Sequence, residues 1–96
     1  MIHHSVILKL KYPKGSEEET RFIAACRELA KIPGVHNFKV LEQVSSKNQF
    51  DYGLSMNFNN QEEYDTYSAH PDHEAFIQNF WIKYVTDFLE IDYLEI

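Results

Sequence analysis

Tyr52-Gly53-Leu54-Ser55-Met56-Asn57-Phe58 alternates along its whole length, with Tyr52, Leu54, Met56 and Phe58 on one side of a two-residue period. Side chains of a strand point to opposite faces in turn, so this stretch predicts a strand with one buried and one more polar face. Just upstream, Val35 to Val44 reads as another strand, with Phe38 and Val40 on one face and Lys39 and Gln43 on the other. Ser45 to Gln49 is the polar turn that joins the two.

The N-terminus carries the same period: Ile2, His4, Val6, Leu8 and Leu10 share one side, until Tyr12-Pro13-Lys14-Gly15 breaks the strand. Ser16 followed by Glu17-Glu18-Glu19 is a capping box, with Ser16 as the cap and Glu19 three residues on, and the acidic first turn suits the positive end of a helix. Phe22, Ala25, Cys26, Leu29 and Ala30 then give that helix one apolar stripe, which Pro33-Gly34 ends. After the Tyr52 strand, Asn60 and Glu63 open a second helix through about Ala69, and Pro71 sits where a further helix starts. His73, Phe76, Ile77, Phe80 and Tyr84 share one side of it, and Thr86 to Ile96 is the last strand, with Leu89, Ile91 and Tyr93 on one face.

The order β-α-β-β-α-β predicts an α+β, ferredoxin-like domain over residues 1–96, with both helical units on one face of a four-stranded antiparallel sheet. The other face of the sheet then needs a cover. Two such sheets packed face to face make a barrel-like homodimer that removes the open face from water.

Composition narrows the function. Nine Lys and Arg against 15 Asp and Glu give a net charge of −6, so neither a nucleic-acid backbone nor an anionic membrane surface is an expected partner. No run is long enough to span a membrane, and Met1 to Lys11, interrupted by His3, His4, Lys9 and Lys11, lacks the order of a signal peptide. The single cysteine, Cys26, lies on an apolar stripe and fits a reducing compartment, so cytoplasmic residence is expected.

Tyr67-Ser68-Ala69-His70-Pro71-Asp72-His73-Glu74-Ala75-Phe76, then Phe80-Trp81, Val85-Thr86-Asp87-Phe88 and Asp92-Tyr93, together with the opening His4-Ser5-Val6-Ile7-Leu8-Lys9-Leu10 and the Ile32-Pro33-Gly34-Val35 turn, resemble the stress-responsive A/B barrel (Dabb) family. The Tyr-x-x-His-Pro-x-His element is the most specific part. Most members have no assigned reaction. The resemblance implies a dimeric α/β barrel and, by likeness to plant polyketide cyclases of this family, a cofactor-independent aldol cyclisation in a pocket between sheet and helices. The motif puts the key pair on Tyr67 and His73, and the N-terminal-strand histidine on His4. A further pocket histidine of such cyclases, on the third strand, corresponds to Tyr52.

An aldol cyclisation needs a base for an acidic C–H and a donor for the enolate oxygen, roles that suit His73 and Tyr67. Proximity to a helix N-terminus favours a neutral imidazole at His73, while Asp72 and Glu74 oppose this. Phe76, Phe80 and Trp81, with Tyr52, are the candidate lining of an apolar pocket for a small carbonyl ligand. His70 serves the turn before Pro71, His3 points away from His4, and His36 has no evident partner. No ligand spacing predicts a metal site, and no cofactor is expected. The competing readings are a small-ligand-binding or stress-associated module without chemistry, in which His73, His4 and Tyr67 are packed core residues, and a monooxygenase of the same dimeric fold.

Overall fold

The computed structural model describes residues 1–96. In chain order it contains β1 (Ile2–Leu10), α1 (Glu17–Glu28) with a 3-10 turn (Leu29–Lys31), β2 (His36–Glu42), β3 (Tyr52–Phe58), α2 (Gln61–Ala69), α3 (Pro71–Phe76), a π turn (Ile77–Trp81), α4 (Ile82–Tyr84) and β4 (Val85–Leu94). The strands form one antiparallel sheet in the order β2-β3-β1-β4, the ferredoxin-like arrangement the sequence predicts. No helix is long and apolar enough to cross a membrane.

The capping chemistry works as the sequence implies. Ser16 Oγ accepts from the Glu19 amide at 3.2 Å while Glu19 accepts from the Gly15 amide at 2.8 Å. Asn60 accepts from the Glu63 amide at 2.9 Å, and Glu63 accepts from the Asn59 amide at 2.8 Å. Each pair satisfies amides that a helix start leaves without partners. β2 runs from His36 to Glu42 rather than from Val35 to Val44, and Asn37, at a positive φ of 52°, lies where its register shifts between His36 and Lys39.

The alternation of β1 and β3 decides which face is covered. Ile2, His4, Val6, Leu8 and Leu10 are buried, as are Tyr52, Leu54, Met56 and Phe58, and the helices pack over them. From α1 come Phe22, Cys26 and, in the following turn, Leu29; Ala30 at the end of the predicted stripe faces solvent because the helix tightens there. Antiparallel partners share a face, so the register also sorts β4: Phe88, Glu90 and Asp92 lie on the helix side opposite Leu8, Val6 and His4, whereas Leu89, Ile91 and Tyr93 join Ile7 on the open side.

Phe22 is 1% exposed and its ring lies about 6 Å from those of Phe76, Trp81 and Tyr84, joining α1 to the C-terminal helical turns. Phe22→Ala is expected to cost roughly 3–5 kcal/mol in urea unfolding. A loss below about 1 kcal/mol would mean that this contact does not hold the helix layer together.

Candidate functional site

Three elements converge on His4. β1 presents its imidazole, 4% exposed, on the covered face of the sheet. From α2, one turn apart, Tyr64 and Tyr67 reach down to it, with ring centroids 4.9 and 6.4 Å away. The chain then breaks at His70, whose backbone is extended because an α conformation is disfavoured before proline. His70 Nδ1 accepts from the Asp72 amide at 3.0 Å, so it caps α3, the turn role expected for it. The break swings His73, two residues beyond Pro71, back onto Tyr67, with centroids 4.6 Å apart.

Between these side chains is a cavity of about 270 Å³ whose lining includes His4, Tyr64, Tyr67, His73, Phe76 and Trp81. Of the pocket residues expected from the sequence, Phe76 and Trp81 therefore line it, and Phe80 and Tyr52 do not. Phe80 turns instead toward α1, into a separate surface hollow of about 530 Å³ that contains none of His4, Tyr67 or His73. The π turn is the reason: its extra residue puts Trp81 under Phe76 and Ile77, where an α-helical period would have put Phe80. Tyr52 pairs with Leu8, while His4 pairs with Met56, so Tyr52 lies about 13 Å along the strand from the level of His4 and beyond the end of the cavity lining. Met56 and Leu54 are the β3 residues that line it.

Sequence reasoning missed Tyr64, Glu90 and Asp92. His4 Nδ1 donates to Asp92 Oδ1 at 2.5 Å, and because a carboxylate only accepts, the shared proton belongs to Nδ1. The Tyr64 hydroxyl lies 2.9 Å from both Asp92 Oδ2 and His4 Nδ1 and 3.2 Å from Glu90 Oε1. Glu90 Oε1 is 3.9 Å from His4 Nε2. The signal was the alternation of the last strand, which puts Glu90 and Asp92 opposite Leu89, Ile91 and Tyr93; only the β1–β4 register shows that theirs is the covered side. His4, Glu90 and Asp92 also offer three potential metal-ligand atoms within 4.8 Å of one another, a set from the two ends of the chain that no sequence spacing could reveal. The remaining histidines are tied elsewhere: His3 bonds Asn57 at 2.9 Å, and His36 lies 3.3 Å from both Glu63 and Asn59.

The site has a distinct protonation pattern. Burial holds the His73 imidazole below its ordinary value of 6.5, against the opposing pull of the Ser68 backbone and of Glu74 and Glu90. Its Nδ1 is buried with no hydrogen-bond partner, which also disfavours the charged ring. Burial raises Tyr67 well above the normal phenol range, and Tyr64 is raised by burial and then by the hydrogen bond to Asp92. Both hydroxyls therefore stay protonated at neutral pH. Cys26, free and buried, is pushed up to about 12 by burial, so it is a packed thiol rather than a nucleophile.

Residues 2–95 as a whole fit the model of the stress responsive A/B barrel domain. The chain belongs to the Dabb family. This Dabb domain is 26% identical over 96 residues to a stress-response A/B barrel domain-containing protein of Arabidopsis thaliana, a match covering 98% of the chain and 36% of that relative. The chain thus spans about a third of the length of the curated relative it matches. A Dabb family protein with a ferredoxin-like fold from Mesorhizobium loti is 42% identical, with a TM-score of 0.96 over 99% of this chain and 96% of that one. Two further structures share the fold alone. One is a dimeric ferredoxin-like protein of unknown function from Thermobifida fusca, at 18% identity, TM-score 0.82, and 98% and 90% coverage of the two chains. The other is a hydroxynitrile lyase from Passiflora edulis, at 15% identity, TM-score 0.83, and 96% and 90% coverage.

The lowered value at His73 sets a pH dependence of stability. Below the ordinary value of 6.5 the unfolded chain binds a proton at this position that the folded chain still refuses, so acid favours unfolding until the folded value is passed. The unfolding free energy of the wild type is therefore expected to fall more between pH 7.5 and 5.5 than that of His73→Gln, as read from urea curves. Parallel losses in the two proteins would contradict a depressed His73.

Proposed function

We propose that this Dabb domain works as a homodimer, and that the cavity beside His73 hosts cofactor-independent acid–base chemistry on a small carbonyl compound. The observation that carries the chemistry is the pair itself: a ring held neutral by burial, packed against the ring of a tyrosine whose hydroxyl burial keeps protonated, on the wall of one cavity. His73 takes the proton from a carbon next to a carbonyl, and the Tyr67 hydroxyl donates to the enolate oxygen that forms. In an aldol cyclisation the enolate carbon then bonds to a second carbonyl carbon of the same molecule. The resulting alkoxide recovers the proton from the imidazolium, and no redox partner is needed. His4, fixed by Asp92, lies on the sheet side of the same cavity and offers Nε2 as an acceptor, which positions a hydroxyl of the substrate. The Passiflora lyase supports the capacity of this fold to carry an enzyme site.

The homodimer rests on the open sheet face. Leu41, Leu89 and Tyr93 are 47%, 49% and 55% exposed there, beside the half-buried Ile7 and Ile91. Contiguous apolar surface of this kind is what a second sheet covers. The dimeric Thermobifida protein of the same fold is consistent with that arrangement. Cytoplasmic residence, expected from the lone buried thiol, is part of the same proposal.

Turnover of diketone and polyketide-like model substrates tests the chemistry. His73→Ala is expected to lose about 10²–10⁴-fold in kcat, and Tyr67→Phe about 10²–10³-fold, with the fold intact by circular dichroism. Activity surviving in His73→Ala would exclude it as the base, and ligand binding by the wild type without turnover would select the carrier reading instead. Light scattering at micromolar concentration is expected to give about twice the 11.4 kDa chain mass, and Leu89→Glu to give the monomer. A wild-type monomer would remove the dimer.

A further inference from the structure

Glu90 is the one carboxylate in the lining of the cavity, and neither Lys nor Arg is in that lining. Around it the donors are too few. Glu90 and Asp92 carry two negative charges, Tyr64 has a single proton for the acceptors around its oxygen, and the proton on His4 Nδ1 is taken by Asp92. Neither carboxylate has a Lys or Arg within ion-pair distance; His4 is the potential cation beside them. Apart from His4, Ser68 and His73 the rest of the wall is aromatic and aliphatic, with Tyr64, Tyr67 and Trp81 in the same lining as Glu90. A carboxylate without a cationic partner, next to aromatic rings, matches a ligand with an apolar body and a positive or proton-donating head.

We infer that Glu90 is a specificity-determining residue that makes this cavity accept small amine-bearing ligands with an apolar body and reject anionic ones. The inference rests on reading the cavity as a ligand site, and it adds a charge class to that reading. Glu90 itself is half exposed, so it is already in contact with water, and an ammonium group arriving there needs only a partial loss of water. An anionic ligand would meet the same charge with no basic residue in the lining to offset it.

Three probes of nearly the same shape test this: benzylamine, benzyl alcohol and benzoate, titrated at neutral pH and low salt. The readout is the fluorescence of Trp81, the one tryptophan in the chain, which lines the cavity. Benzylamine is expected to bind about fivefold more tightly than benzyl alcohol, and benzoate about fivefold more weakly, with the spread shrinking as salt is added. Glu90→Gln should bring the three together, and Glu90→Lys should reverse their order. If the probes bind but benzoate equals benzylamine, or Glu90→Gln leaves the order unchanged, the role of Glu90 is wrong while the ligand site stands. If none of the three changes Trp81 fluorescence at millimolar concentration, the reading of the cavity as a ligand site fails, and the inference fails with it.

Discussion

Phe58, 0% exposed at the end of β3, stacks on Tyr64 at 4.9 Å with an angle of 16° and meets Tyr67 at 5.2 Å. This packing of one strand-end ring against two helix rings fixes α2 over the sheet, and everything at the site follows from where α2 lies. Tyr64 is held where its hydroxyl reaches His4 and the β4 carboxylates, and Tyr67 where the chain, broken at His70-Pro71, returns His73 onto its face. Aromatic pairs add a geometric preference to the large area they bury, so the stack orients the helix as well as holding it.

The second determinant is incomplete cover. The sheet order puts β1 and β3 in the centre and β4 at an edge, and the helices bury the centre while leaving the edge half open. On β1 and β3 the covered positions are apolar except for His4. On β4 the same face carries Glu90 and Asp92, half exposed, which a fully covered strand could not bear without cationic partners. The cavity forms at this boundary between dry core and wet edge. A neutral His73 on the dry side and ionic groups on the wet side are consequences of one geometry, and acid–base chemistry needs such a contrast.

Much of this was legible in the sequence. The alternation of Tyr52 to Phe58 and of Ile2 to Leu10, the caps at Ser16 and Asn60, and Pro71 as a helix start lead to the observed element order, because each is a local rule with a local outcome. The pairing of Tyr67 with His73 was readable only through the family motif, since residues across a helix break have no fixed spacing. Two things were hidden. The π turn at Ile77–Trp81 has no pattern in residue types, so Trp81 and Phe80 exchange the roles a regular helix would give them. The β1–β4 register, which brings Asp92 beside His4 and leaves Tyr52 at the level of Leu8, joins segments at opposite ends of the chain.

The central claim is that His73 stands in the cavity as a neutral imidazole ready to accept a proton. Long-range proton–nitrogen NMR of selectively labelled histidine measures this directly, giving the protonation state of the His73 ring as pH is lowered. The account predicts a ring that is neutral at pH 7 and stays so through the ordinary histidine value of 6.5, taking its proton only at lower pH. A His73 ring that is half protonated at or above 6.5 would contradict it, and would return Tyr67 and His73 to the role of packed core residues.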